Sequence, residues 1–180
     1  MGIPRIYLDT QPLIEAIKTK ITKQHPTDDV LFTFWCLKAA EQKEIEIVTS
    51  IITIAECKRG IREKSPNEKT KDLIRSVLTS GAILQLSEVT LSIVEKARDL
   101  DWEYGYCFGG ADGIHVATAI ATNCKELLTA DRMIKKIDDF NEKGFGVKII
   151  KPHETGLLPP KYKQGNFFEE IRNSKKKQDK

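Results

Sequence analysis

The strongest constraint on the fold is a regular alternation of short apolar runs with longer segments that carry apolar residues at helical spacing. Five short runs are predicted to be strands, at residues 5–8, 45–48, 83–86, 127–129 and 147–150. Helices are predicted at residues 10–17, 29–42, 50–60, 65–79, 88–102, 112–121 and 133–140. Strands that alternate with helices favour a mostly parallel sheet. The sequence therefore predicts an α/β/α sandwich around a mostly parallel five-stranded sheet.

Length and hydropathy indicate the class of protein. At 180 residues the chain is long enough to bury one substantial core, which predicts a single folded domain. No apolar stretch approaches the length of a membrane-spanning helix, and no secretory leader pattern opens the chain. We therefore expect a protein of the cytoplasm with no membrane partner.

The cysteines are isolated from one another and form no C-x-x-C pair: they are Cys36, Cys57, Cys107 and Cys124. This spacing disfavours a zinc site. We expect reduced thiols, most of them buried.

Positive charge is concentrated at the carboxyl end of the chain. Residues 159–180 hold seven of the 29 Lys and Arg but only three of the 26 Asp and Glu, so the remainder is close to neutral. We predict a folded domain over residues 1–158 and a basic, flexible tail over residues 159–180. Two interpretations of the tail stay open: it binds a polyanion through lysine–phosphate attraction, or it is a solvated terminus without a partner.

Four acidic residues stand beside the predicted strands or on helices that come after them. Asp9 follows the strand at residues 5–8, and Asp131 follows the strand at residues 127–129. Glu56 lies about two turns into the helix after the second strand, and Asp112 opens a later helix. Ligands usually bind beyond the carboxyl ends of parallel strands, where at least Asp9 and Asp131 are expected.

Carboxylates brought to one edge of a sheet repel one another unless a cation neutralises them. Mg²⁺ prefers oxygen ligands and keeps several of its waters, so a carboxylate cluster can bind it without closing its coordination shell. A bound ion polarises a phosphate and lowers the pKa of water, which makes a histidine base unnecessary. The four acids therefore predict a metal-dependent phosphodiesterase.

Each acidic residue also has a purely structural interpretation. Asp9, Asp112 and Asp131 are all placed to cap a helix or to complement its dipole. Glu56 could instead pair with a neighbouring lysine. The joint occurrence of all four in this order favours the site. His115, one turn after Asp112, either reaches the same site or is an ordinary helix-face residue.

Taken in order, these segments resemble a known family. They are Leu-Asp-Thr at residues 8–10, Glu56 after the second strand, Ala-Asp-Gly-Ile-His-Val-Ala-Thr-Ala at residues 111–119, and Leu-Leu-Thr-Ala-Asp at residues 127–131. The chain is similar to the PIN domain family, which includes the VapC-like toxins of prokaryotic toxin–antitoxin pairs. The resemblance covers residues 4–152, and the ordered set is more specific than any one motif.

The resemblance implies a ribonuclease that depends on Mg²⁺ or Mn²⁺, with an acidic pocket formed by Asp9, Glu56, Asp112 and Asp131. We expect Asp9 and Asp112 to bind metal directly, Asp131 to bind directly or through water, and Glu56 to orient a water or a second ion. Thr129 matches a supporting hydroxyl of the family, and Thr10 is a further candidate. The implied partners are an RNA substrate, a small antitoxin protein and a second copy of the chain.

Two departures leave the subfamily and the RNA target open, namely the long segment at residues 18–28 and the basic tail. A haloacid-dehalogenase-type phosphatase would need an acid two positions after Asp9, where this chain has Gln11. The remaining alternative is a catalytically silent PIN-like module that binds RNA or acts as a scaffold.

Overall fold

A five-stranded sheet in which every pair of neighbouring strands is parallel organises the computed structural model, which describes residues 2–57, 68–131 and 137–163. The strands are β1 (Arg5–Leu8), β2 (Glu46–Ser50), β3 (Leu84–Ser87), β4 (Glu126–Leu128) and β5 (Lys148–Ile150). Their order across the sheet is β3-β2-β1-β4-β5. The predicted α/β architecture around five parallel strands is thereby confirmed.

Helices connect the strands, and several begin at a residue whose side chain caps the first turn. Thr27 and Thr90 each accept a hydrogen bond from the N–H three residues later, at the starts of α2 and α5. The helices are α1 (Thr10–Thr22), α2 (Asp28–Glu41), α3 (Ile52–Glu56), α4 (Glu68–Thr79), α5 (Leu91–Tyr104), α6 (Gly110–Ala121), α7 (Ile137–Glu142) and α8 (Pro160–Lys163), with a 3₁₀ turn at Pro152–Glu154. Within the described ranges, no helix has both the length and the apolar character needed to cross a membrane.

The central strand β1 alternates its side chains between two apolar clusters, as the two-residue period of a strand requires. Ile6 and Leu8 pack in a cluster with residues of α1, α2 and α4. Tyr7 packs in the other cluster, with residues of α5, α6 and α7. All three side chains are fully buried, so β1 is covered on both faces.

The register of β1 and β4 determines where Asp9 lies. Leu8 pairs with Leu128, and the next residue, Asp9, donates its backbone N–H to the carbonyl oxygen of Leu128 over 3.0 Å. Asp9 is therefore held at the end of the sheet. Asp131 lies just beyond the end of the neighbouring strand β4.

Several helix boundaries differ from the prediction, among them the starts of α5 at Leu91 and of α6 at Gly110. Helix α1 continues to Thr22, beyond the expected end: Lys18 pairs with Glu15 at 2.7 Å, and the hydroxyl of Thr22 donates to the carbonyl oxygen of Lys18 over 2.9 Å. Ser50 is not part of α3 but ends β2, where it pairs with Ser87 of β3, and its hydroxyl accepts from the N–H of Ile52 over 3.4 Å. Helix α3 begins at Ile52 and has Glu56 as its last residue.

Several predicted features lie outside the described residues. They are residues 58–60 of the predicted third helix, residues 65–67 of the fourth, residues 133–136 of the seventh, and the tail from residue 164 onward. The last described turn, α8, packs on α2, and its Tyr162 hydroxyl donates to Gln42 over 2.6 Å.

Three of the four cysteines, Cys36, Cys57 and Cys124, are buried, and Cys107 is exposed. Burial raises the pKa of the Cys36 and Cys57 thiols to about 12 and that of Cys124 to about 11. These three side chains are therefore neutral packing residues at physiological pH.

Candidate functional site

A cavity of about 250 Å³ opens at the carboxyl end of β1. All four acids singled out in the sequence line it. Its lining residues are Asp9, Thr10, Gln11, Ile14, Glu56, Asp112, His115 and Asp131. The fold thus brings together carboxylates from both halves of the chain.

Asp9 is the most deeply placed of the four acids, with 5% of its surface exposed. One carboxylate oxygen, Oδ1, accepts from the backbone N–H of Thr10 over 2.7 Å, at the start of α1. The other, Oδ2, accepts from the hydroxyl of Thr129 over 2.7 Å. Burial raises the pKa of Asp9 more than these hydrogen bonds and the nearby His115 lower it. Ionisation of Asp9 is therefore disfavoured by its surroundings, and nearby positive charge would favour it.

One carboxylate oxygen of Glu56 has two partners in the site. Its Oε2 accepts from the hydroxyl of Thr10 over 2.5 Å and lies 2.8 Å from Nε2 of His115. The Thr10 hydroxyl also lies 3.2 Å from that of Thr53, which in turn contacts Thr49 at 2.8 Å. Thr10 thus joins the start of α1 to the end of α3.

His115 lies inside the site rather than on an outer helix face. Its side chain is 1% exposed, and its Nδ1 is 2.6 Å from the hydroxyl of Tyr7. Burial lowers the pKa of His115, but the hydrogen bond to Glu56 and the charges of Asp9, Glu56 and Asp112 together raise it further. Of the two interpretations that the sequence left open, the structure supports the one in which His115 reaches the site.

Asp112 occupies the third position of α6, where the first turn places it at the cavity. A Cβ on Gly109 would stand 3.3 Å from Oδ2 of Asp112, so glycine at the helix cap leaves room for this carboxylate. Partial burial and then the negative charges of Asp9 and Asp131 raise the pKa of Asp112. The three acids line the same cavity, so their negative charges disfavour one another's ionisation.

Asp131 follows β4 and is the exposed member of the set. Its backbone N–H donates to the hydroxyl of Thr129 over 3.1 Å. Thr129, which is fully buried, therefore contacts both Asp9 and Asp131 and links the ends of the two central strands.

The chemistry of the cavity fits a divalent cation. Within the described residues, no three His, Cys, Asp or Glu side chains form a ready ligand cluster. Mg²⁺ does not need such a three-ligand cluster, since it is commonly bound through one or two carboxylates and retains several waters. A water-accessible cavity lined by the oxygen donors of four acids suits such an ion. The raised pKa values of Asp9 and Asp112 are the shifts that a cation would reverse.

Tyr7 and Thr53 belong to the site but were not predicted. Tyr7 is fully buried, and its hydroxyl accepts from the N–H of Ser50 over 2.9 Å besides contacting His115. The sequence signal for Tyr7 was a phenol hydroxyl within an otherwise apolar strand. A buried hydroxyl needs a polar partner, so this position indicates a hydrogen bond to another polar group.

Comparison with known proteins identifies a family and two similar folds. The family model for the PIN domain matches residues 6–140. No curated protein is similar enough to count as a match. The crystal structure of FitAcB from Neisseria gonorrhoeae is 19% identical, with a TM-score of 0.52, and the match covers 83% of this chain and 99% of that chain. The structure of FitAB bound to an IR36 DNA fragment is 17% identical, with a TM-score of 0.51, and the match covers 83% and 96%.

The structural likeness supports the fold alone, because both identities are low. The family match extends over most of the chain and includes all four acids, from Asp9 to Asp131. PIN domains are generally nucleases that use divalent metals. This chain belongs to the PIN domain family.

Proposed function

We propose that this chain is a metal-dependent endoribonuclease that hydrolyses phosphodiester bonds of RNA at its four-carboxylate cavity. The observation that carries the proposal is the placement of Asp9, Glu56, Asp112 and Asp131 around one cavity. Asp9 is buried there, and among the described residues the nearby positive group is His115 rather than a lysine or an arginine. Such a cluster is suited to binding a cation.

The residues have distinct proposed roles. Asp9 and Asp112 bind Mg²⁺ or Mn²⁺ directly, and Asp131 binds directly or through water. Glu56 orients a water or a second ion. Thr129 holds Asp9, and a bound ion supplies the charge that polarises the scissile phosphate and acidifies a water.

The four carboxylates of the cavity also repel the RNA backbone until a cation is bound. A phosphodiester carries a negative charge, and four uncompensated acids repel it. With the acids neutralised, the partly exposed Asp112 and the exposed Asp131 leave the mouth of the cavity accessible to a backbone phosphate. We propose that the folded domain continues through α8 to at least Lys163, beyond the boundary at residue 158 expected from the sequence, because Tyr162 is buried in the core. We also propose that the domain acts in the cytoplasm.

The test is incubation of total cellular RNA with purified protein in Mg²⁺, in Mn²⁺ and in EDTA, beside Asp112→Asn. We expect cleavage with either metal, and none in EDTA or with the variant. The matched control is Asp101→Asn, which makes the same chemical change at an exposed position on α5. Cleavage that survives Asp112→Asn would contradict the assignment.

The alternative is a catalytically silent PIN-like module that binds RNA or serves as a scaffold. Retention of RNA by folded, partner-free protein, with no cleavage under any metal condition, would establish this alternative. The four acids argue against it, because a binding module gains nothing from repelling phosphate.

A role as the toxin of a toxin–antitoxin pair is the finer proposal. Its support is the fold shared with FitAcB and FitAB. Induced expression in a bacterial host should arrest growth, whereas Asp112→Asn should not. Unimpaired growth with an enzyme that cleaves RNA in vitro would exclude the toxin role and keep the nuclease.

We further propose a small antitoxin protein as a partner and a homodimer as the assembly. Exposed apolar side chains on α3 and α5, including Ile54, Leu91 and Val94, support an interface. The segments that precede these helices are hydrogen-bonded, because the N–H of Ile51 donates to the carbonyl oxygen of Ser87. Light scattering of the wild type and of Leu91→Glu tests the dimer, and a monomer mass for the wild type would exclude it.

A further inference from the structure

Glu56 stands at the end of a short helix and depends on contacts from other elements for its orientation. It is the last residue of the five-residue helix α3, and its side chain is 31% exposed. Its Oε2 is contacted by the hydroxyl of Thr10 at 2.5 Å and by Nε2 of His115 at 2.8 Å. Both contacts come from elements outside α3.

His115 is itself fixed from the opposite side of its ring. Nδ1 lies 2.6 Å from the hydroxyl of Tyr7, and the two rings meet edge-on at 63° with centroids 5.8 Å apart. The Tyr7 hydroxyl accepts from the N–H of Ser50, the last residue of β2. A continuous chain of hydrogen bonds thus runs from the end of β2 through Tyr7 and His115 to Glu56.

The direction of these bonds follows from the donors available. Neutral His115 accepts a hydrogen bond from the Tyr7 hydroxyl at Nδ1 and carries its own proton on Nε2. Charged His115 carries protons on both nitrogens. In either form, Nε2 donates to Glu56, so the orienting contact does not depend on the protonation state.

We propose that His115 and Tyr7 are positioning residues that aim the Glu56 carboxylate into the cavity. This inference rests on the proposed function and deepens it. Neither side chain is exposed enough to meet RNA, since His115 is 1% exposed and Tyr7 is fully buried. His115 Nε2 also lies 3.6 Å from Oδ1 of Asp9, beyond hydrogen-bond distance, so Glu56 at 2.8 Å is the carboxylate that it orients. Their orienting effect on metal binding is transmitted through Glu56, as is common for partners of metal-binding groups.

A double-mutant cycle on the full-length chain tests this coupling, with Mn²⁺ affinity measured by electron paramagnetic resonance without RNA. We expect His115→Ala to weaken Mn²⁺ binding about 10-fold. In the Glu56→Ala background the same change should have less than about a 2-fold effect, because its target is gone. His115→Gln, which keeps an N–H donor, should retain most of the affinity, and Tyr7→Phe should weaken binding in the same direction.

The control is His153→Ala, which removes an exposed histidine that pairs with Asp29 away from the cavity. Thermal unfolding verifies that each variant is folded at the assay temperature. If His115→Ala does not fold, Tyr7→Phe replaces it in the same cycle with Glu56→Ala.

Two results would overturn the inference. Equal weakening by His115→Ala with and without Glu56 would show that His115 acts on metal binding by another route. Unchanged or tighter Mn²⁺ binding by folded His115→Ala would show that His115 does not help Glu56 bind. Either result with an active wild type leaves the nuclease standing, whereas a wild type that neither binds Mn²⁺ nor cleaves RNA would overturn both proposals.

Discussion

The acids of the cavity fall into two pairs that are held to different degrees. In the held pair, Asp9 and Glu56, the carboxylates contact Thr10, Thr129 and His115. The open pair is more exposed: the half-buried Asp112 carboxylate makes no hydrogen bond within the described part of the chain, and Asp131 is exposed. We predict that Asp9 and Glu56 determine the position of a bound cation more strongly than Asp112 and Asp131 do.

The largest expected effect is on the rate of RNA cleavage, which should fall further when an acid of the held pair is replaced than when one of the open pair is. Asp9→Asn should lower the rate of RNA cleavage by about 10³-fold, because it removes a fixed negative charge that no nearby group can replace. Asp131→Asn should lower it by about 10- to 100-fold. Steady-state cleavage of one labelled RNA at saturating Mg²⁺ makes the comparison. Equal losses would remove the distinction between the pairs.

The next effect concerns the hydroxyl that supports the held pair. Thr129→Val deletes the donor to Asp9 at nearly constant volume and should weaken Mg²⁺ binding about 10- to 100-fold. Thr129→Ser keeps the hydroxyl and should bind nearly as well as the wild type. Titration calorimetry measures both.

Thr79→Val is the matched control for this change, since Thr79 is exposed at the end of α4 and its hydroxyl donates to a carbonyl oxygen of its own helix. Affinity of Thr129→Val equal to that of the wild type would mean that Asp9 does not depend on this contact.

A smaller effect is the dependence of metal binding on pH. The pKa values of Asp9 and Asp112 are raised, so protons compete with the metal at a higher pH than for ordinary carboxyls. Affinity for Mn²⁺ should fall as the pH decreases through these raised values, by about tenfold per pH unit for each carboxyl that must lose a proton. Binding that stays constant down to about pH 4, near the ordinary aspartate pKa, would contradict this.

The smallest effect is on the stability of the metal-free protein. A carboxyl with a raised pKa in the folded state binds protons more tightly there than in the unfolded state. Its unfavourable contribution is therefore absent below the ordinary pKa and fully present above the raised one. At neutral pH in EDTA, Asp112→Asn should stabilise the protein by up to about 1 kcal/mol, since the half-exposed group is partly screened.

A gain of that size raises the unfolding temperature by about 2–4 °C, which thermal denaturation detects. The gain should disappear near pH 3, where Asp112 of the wild type is protonated. Added Mg²⁺ should reverse the order of stability at neutral pH, because only the wild type then gains binding energy. A variant less stable than the wild type in EDTA would show that Asp112 is not under electrostatic repulsion.

The positions of Asp9 and Asp131 could be predicted from the sequence because both come directly after apolar runs. Parallel strands bring their carboxyl ends to one edge, so a local pattern was sufficient. The short span of α3 could not be predicted in the same way. Ser50 is a common helix cap, but pairing with β3 kept it in the sheet.

The support for Glu56 was also beyond a local pattern. His115 contacts Tyr7 across 108 residues and Glu56 across 59. Those contacts depend on how α6 packs against β1, and the spacing of apolar residues along the sequence does not specify that packing. The position of a polar side chain on a helix indicates that it needs a partner, while tertiary packing decides which partner it finds.

The hydrogen bond from the Asp9 N–H to Leu128 has a consequence for exchange with solvent deuterium. That amide lies between the carboxyl ends of the two inner strands β1 and β4, so its proton is expected to exchange slowly. The amides around Asp112, in the first turn of α6, have no strand partner within the described residues and can exchange through local opening. A deuterium-exchange profile of the native protein would therefore find slow and fast labelling side by side in one cavity.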